Sequence, residues 1–144
     1  MSTEKKSLTE VFIDTSYIIS LVVSSDKHHS KARELSKRVR EERLILVTTK
    51  AILLEVGNAF SAKYKAEAIK LIEMLEKDPS IKVVSLDQTL FDQAFEMFKR
   101  YDDKYWGLVD CVSFVVMRSR KIVEAFSADQ HFNQAGFRAL LLEK

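Results

Sequence analysis

The chain has 144 residues, 47% of them apolar, which is enough for one sizeable core and leaves no need for a second domain. Charged residues make up 31% and the formal net charge is only +2, which excludes the broad basic field of a general polyanion binder; any nucleic-acid contact has to be local. The single cysteine, Cys111, excludes an internal disulfide, while the polar stretch Met1 to Glu10 lacks the apolar segment of a signal peptide and no apolar run is long enough to cross a bilayer. The expectation is one soluble cytoplasmic domain over residues 1–144, with no membrane partner.

In chain order, Val11-Phe12-Ile13 reads as a short strand stopped by Asp14-Thr15-Ser16, whose polar side chains suit the start of a helix carrying Tyr17 to Val22. The charged segment Lys27 to Arg43 keeps Ala32, Leu35 and Val39 on one helical face, and Leu44 to Val47 reads as a buried second strand. Thr48-Thr49 is placed to cap a helix from Lys50 to about Ala62, and a further helix from Ala66 has to end before Pro79. Ile81 to Val84 is the third strand. Ser85-x-x-Gln88 predicts a capping box opening a helix whose Phe91, Phe95 and Phe98 form an apolar stripe, core first and oligomer interface second. Leu108 to Arg120 reads as a helix, Glu124 to Ser127 as the fourth strand, and Arg138 to Leu142 as a candidate fifth. Strands alternating with helices predict an α/β fold, a three-layer sandwich around a mostly parallel four- or five-stranded sheet. Ligands of such sheets gather at the strands' carboxyl ends, where Asp14 and Asp129 fall.

Four acidic residues interrupt apolar sequence. Asp14 follows Val-Phe-Ile, Glu55 is embedded in Ala-Ile-Leu-Leu-Glu-Val-Gly, Asp110 breaks Leu-Val-Asp-Cys-Val-Ser-Phe, and Asp129 follows Ala-Phe-Ser-Ala. A carboxylate taken out of water needs a cation, a hydrogen-bond donor or a proton, and no Lys or Arg lies near any of the four in sequence. A divalent ion shared among them offsets their desolvation together, and oxygen ligands suit Mg²⁺ or Mn²⁺. Each has a plainer reading too. Asp14 suits a helix N-cap, Asp110 a helix's first turn, and Asp129 a cap for the segment Gln130 to Ala135 closed by Gly136; Glu55, mid-helix, has only Asn58 on its face as a local partner.

Other features carry less. His28-His29 lacks further ligands at zinc spacing and reads as a surface or capping pair, His131 as a packed or solvent-facing ring, and Cys111 as core. The mixed-sign run Lys37 to Arg43 reads as a solvated helix face. There is no phosphate-binding loop, dinucleotide fingerprint or serine-hydrolase elbow. Ser16 stands where the haloacid-dehalogenase pattern requires a second Asp.

Together the segments Phe12-Ile-Asp-Thr-Ser-Tyr, Leu53-Leu-Glu-Val-Gly-Asn-Ala, Gly107-Leu-Val-Asp-Cys-Val-Ser-Phe-Val-Val-Met and Ala125-Phe-Ser-Ala-Asp-Gln-His-Phe-Asn-Gln-Ala-Gly-Phe resemble the four acidic segments of the PIN-domain family, in order and nearly end to end, and especially its VapC-like toxins. Asp26-Lys-His-His-Ser-Lys-Ala is similar to the family's second-helix opening. The resemblance implies a parallel sheet flanked by helices, with Asp14, Glu55, Asp110 and Asp129 converging as catalytic metal ligands for Mg²⁺ or Mn²⁺. It also implies an RNA substrate cut to leave a 5′-phosphate, a homodimer, and a small antitoxin whose tail fills the acidic groove. Thr15 and Ser16 are expected to support the metal shell, and Lys63, Lys65, Lys104 or Arg118 to meet phosphates. Ser127 and Ala128 depart from the Thr and Phe common before the fourth acid, a change that bears on groove shape. The rival readings are a PIN nuclease of RNA maturation or of DNA, and a non-catalytic interaction domain that keeps the fold.

Overall fold

The computed structural model describes residues 8–144, so most of the polar stretch Met1 to Glu10 lies outside the described residues. Five strands form one parallel sheet in the order β3-β2-β1-β4-β5: β1 Glu10–Ile13, β2 Ile45–Thr49, β3 Ile81–Val84, β4 Glu124–Phe126 and β5 Arg138–Ala139. The expected parallel sandwich is what the chain forms, with every pairing parallel. Helices α1 Thr15–Val22 and α2 His29–Glu42 connect β1 to β2, and α3 Lys50–Ala59 and α4 Lys65–Lys77 connect β2 to β3. Helices α5 Gln88–Arg100 and α6 Leu108–Arg120 carry the chain from β3 to β4, and the short α7 His131–Gln134 joins β4 to β5.

The chain steps outward one way from β1 to β3 and the other way from β4 to β5, so right-handed crossovers place α1–α4 on one face and α5–α6 on the other. The order reverses between the central strands β1 and β4, where helices on opposite faces leave a crevice at the strands' carboxyl ends. The core follows the strands, with Val11, Phe12, Ile13, Val47, Ala125 and Phe126 all nearly inaccessible. Near-continuous apolar strands are expected of a parallel sheet covered on both faces.

Local details differ from expectation for identifiable reasons. Strand β2 runs on through Thr48 and Thr49, and Thr49 still caps α3 by accepting the Ile52 N–H at 3.2 Å. Thr48 faces the core and donates its hydroxyl to the Ile13 carbonyl at 3.0 Å, tying the end of β2 to the end of β1. The cap of α5 is Asp87, which accepts the Leu90 N–H at 2.8 Å, rather than Ser85; a carboxylate is the better acceptor at a helix's positive end. The fifth strand is only two residues long and passes into a 3-10 turn, Leu140–Leu142. The phenylalanine stripe is not core. Phe91, Phe95 and Phe98 are 38–42% exposed and stack on one another, because Leu90 and Ala94 supply the buried face of α5 that packs along α6.

Candidate active site

Asp14 ends β1 and extends the ladder to β4 by donating its N–H to the Phe126 carbonyl at 3.2 Å. It occupies the N-cap position of α1, yet its side chain makes no cap hydrogen bond. Instead Oδ2 of this buried carboxyl accepts two hydroxyls, from Ser127 at 2.8 Å and from Ser16 at 3.1 Å. Each serine is itself held by the backbone: Ser16 Oγ accepts the Ala128 N–H at 2.9 Å and Ser127 Oγ accepts the Asp129 N–H at 3.0 Å. The turn after β4 is thus fastened to the first turn of α1, with one carboxylate oxygen at the junction. Burial pushes the Asp14 carboxyl up to about 6; the hydroxyls of Ser127 and Ser16 oppose that rise and the charge of Asp110 adds to it.

Asp110 lies in the first turn of α6 and accepts the Gly107 N–H at 2.9 Å, so the first-turn role is real. The same Oδ2 also meets His131 Nδ1 at 3.1 Å. Burial holds the Asp110 carboxyl above its ordinary value, with a further push from Asp129; the Gly107 N–H and His131 work the other way. Asp129 likewise serves locally, accepting the His131 N–H at 2.8 Å, and places the same oxygen 3.3 Å from His131 Nδ1. Asp110, Asp129 and His131 offer ligand atoms all within 4.8 Å of one another. Glu55 comes from α3 and turns not to Asn58 but to α1, where Thr15 donates its hydroxyl to Oε1 at 2.6 Å.

The acids thus form two centres: Asp110 and Asp129 around His131, the one group of three or more possible ligands that comes together among the described residues, and Asp14 with its neighbour Thr15 reaching Glu55. Ser127 bridges the two. His131, expected as a packed or solvent-facing ring, instead stands between two of the acids. Its signal was the Asp129-x-His131 spacing, since an Asp that accepts the N–H two residues on brings both side chains to the same side of the turn. Ser113 is fully buried and donates to the Val109 carbonyl. Burial raises the Cys111 thiol to about 11, which leaves it inert. His29 meets the Ser20 carbonyl through Nδ1 at 2.7 Å, a structural contact.

The family model described as PIN domain matches residues 11–138, the whole stretch from β1 to β5. The chain belongs to the PIN-domain family. Among PIN proteins it is similar to the 23S rRNA-specific endonuclease VapC20 of Mycobacterium tuberculosis, in strains CDC 1551 / Oshkosh and H37Rv alike, at 27% identity over 127 residues, covering 88% of this chain and 95% of the relative. The crystal structure of Mycobacterium tuberculosis VapC20, described as a Sarcin-Ricin loop cleaving toxin, superposes with a TM-score of 0.78 at 26% identity over 90% of this chain and 97% of that one. Among the described residues, no helix of this PIN protein is long and apolar enough to cross a membrane.

Proposed function

We propose that the protein, as a single PIN-type domain, is a metal-dependent endoribonuclease that hydrolyses RNA phosphodiester bonds, and the toxin of a toxin–antitoxin pair acting in the cytoplasm. The observation that carries this reading is the gathering of Asp14, Asp110 and Asp129 at the β1/β4 crevice, with Glu55 bound to the same helix turn. Similarity to a 23S rRNA-specific endonuclease over nearly the whole chain supports RNA as the substrate and ribosomal RNA as the first class to try.

The residues fit a divalent cation. Among the described residues no Lys or Arg pairs with any of the four acids, and burial raises the carboxyls of both Asp14 and Asp110 from their ordinary values. Such a group of oxygens gains from Mg²⁺ or Mn²⁺ what the fold does not supply itself. Asp14, Glu55, Asp110 and Asp129 would hold the ion. When bound, it supplies an acidified water and neutralises charge on the phosphate. The protein's own contribution is orientation. Ser16 and Ser127 anchor Oδ2 of Asp14, Thr15 aims Glu55, and His131 Nδ1 lies between Asp110 and Asp129.

The test is cleavage by the purified protein of ribosomal RNA, structured RNA pools and DNA, with Mg²⁺, Mn²⁺ or a chelator. Internal cuts in RNA that need the cation support the reading. Cleavage of DNA alone, or none of any RNA, would remove it. A gene for a small DNA-binding protein beside this one, whose product stops the cleavage, would support the toxin assignment.

A further inference from the structure

Tyr105 is 93% exposed, the most exposed large hydrophobic side chain among the described residues. Its neighbour Trp106 is the opposite, 5% exposed and locked on three sides. The indole ring lies 4.9 Å from Tyr101 and 5.0 Å from Phe114, and Nε1–H donates to Gln134 Oε1 at 3.0 Å. Gln134 belongs to α7, the helix that begins with His131, so this bond fastens the loop before α6 to the segment carrying Asp129. One residue beyond Trp106, Gly107 donates its N–H to Asp110. The Cα of Tyr105 therefore lies within about 7.6 Å of that of Gly107. An aromatic ring is held out in water on a braced loop that touches both the Asp110 and the Asp129 segments of the candidate site.

Exposing a whole aromatic ring forgoes the burial that favours folding, and neither the backbone nor a hydrogen bond uses Tyr105 in return. We propose that Tyr105 is a substrate-contacting residue, a platform on which an unpaired RNA base next to the scissile phosphate stacks. The inference rests on the ribonuclease reading above and goes further by naming a residue that grips the substrate. Stacking on an aromatic side chain suits this position because single-stranded loops present splayed bases, and the contact needs rigidity of the platform more than charge. The weakly basic balance of the chain leaves room for such a non-ionic contribution.

The experiment uses the full chain and RNA oligonucleotides carrying 2-aminopurine at single positions along an unpaired segment. Binding is read by fluorescence in Ca²⁺, and cleavage in Mg²⁺ or Mn²⁺. Tyr105→Ala is expected to weaken binding and raise KM about tenfold with kcat little changed, and to lose the quenching of one 2-aminopurine position. Tyr105→Phe and Tyr105→Trp should keep both. The melting temperature should be the same for all four proteins, because the ring packs against nothing. If wild type cuts RNA and Tyr105→Ala binds, quenches and cuts alike, the platform is overturned while the nuclease reading stands. If wild type binds and quenches but never cuts, the nuclease reading fails and the platform survives. Loss of self-association in Tyr105→Ala with RNA binding intact would overturn the proposal in favour of a protein contact.

Discussion

Burial holds the Asp14 carboxyl at about 6 in the folded protein, against an ordinary value of 3.8 in the open chain. Between those values the folded state carries more protons than the unfolded one, so metal-free stability falls as pH rises through that range and remains reduced above it. The gap corresponds to about 3 kcal/mol at neutral pH. Asp14→Asn, which keeps an oxygen for the Ser16 and Ser127 hydroxyls, is expected to raise the melting temperature in chelator at pH 7.5 and to lose that advantage near pH 4. The same substitution should lower RNA cleavage by about a hundredfold or more. A residue that stabilises when removed and is needed for activity marks a site where folding and function are opposed. Thr15→Val tests the support of Glu55: without the hydroxyl, cation affinity should drop by about tenfold, measured by titration calorimetry, while the melting temperature in chelator barely changes. An unchanged affinity would mean that Glu55 is aimed by something else.

Among the elements, helix ends and faces decide what was legible in advance. The strands and most helices could be read from runs of apolar residues, because β1 and β2, covered on both faces of the sheet, carry the runs Val11-Phe12-Ile13 and Ile45-Leu46-Val47. The positions of Asp14 and Asp129 were legible for the same reason, since each follows such a strand. The meeting of His131 with Asp110 was not, because beyond the local Asp129-x-His131 spacing it depends on contacts between α6 and α7 that no local pattern records. Nor was the exposure of the Phe91, Phe95 and Phe98 stripe. On α5 both that stripe and the Leu90, Ala94 face are apolar, and only packing against α6 decides which is buried. The exposed stripe suits self-association, and Phe95→Glu is expected to convert dimer to monomer in sedimentation equilibrium, with the far-UV spectrum unchanged. A wild type that is monomeric throughout would contradict it.

Over the whole molecule, the two ends of the sheet treat charge differently. At the strands' amino ends, Arg120 and Lys82 both donate to Glu10, and Arg38 and Arg138 share Glu124. These pairs are partly exposed and individually worth little. At the carboxyl ends the four acids meet hydroxyls, backbone N–H groups and one imidazole, with no Lys or Arg among the described residues to balance them. The chain order reverses where these acids lie, and the proposed nuclease would take its compensating cation from solution. Thermal unfolding at pH 7.5 against increasing Mg²⁺ or Mn²⁺ tests this most directly. The melting temperature of the wild type should climb with cation concentration, and that of an Asp14→Asn, Asp110→Asn double variant should stay flat. A wild type indifferent to millimolar cation would show that the acids are accommodated without a metal.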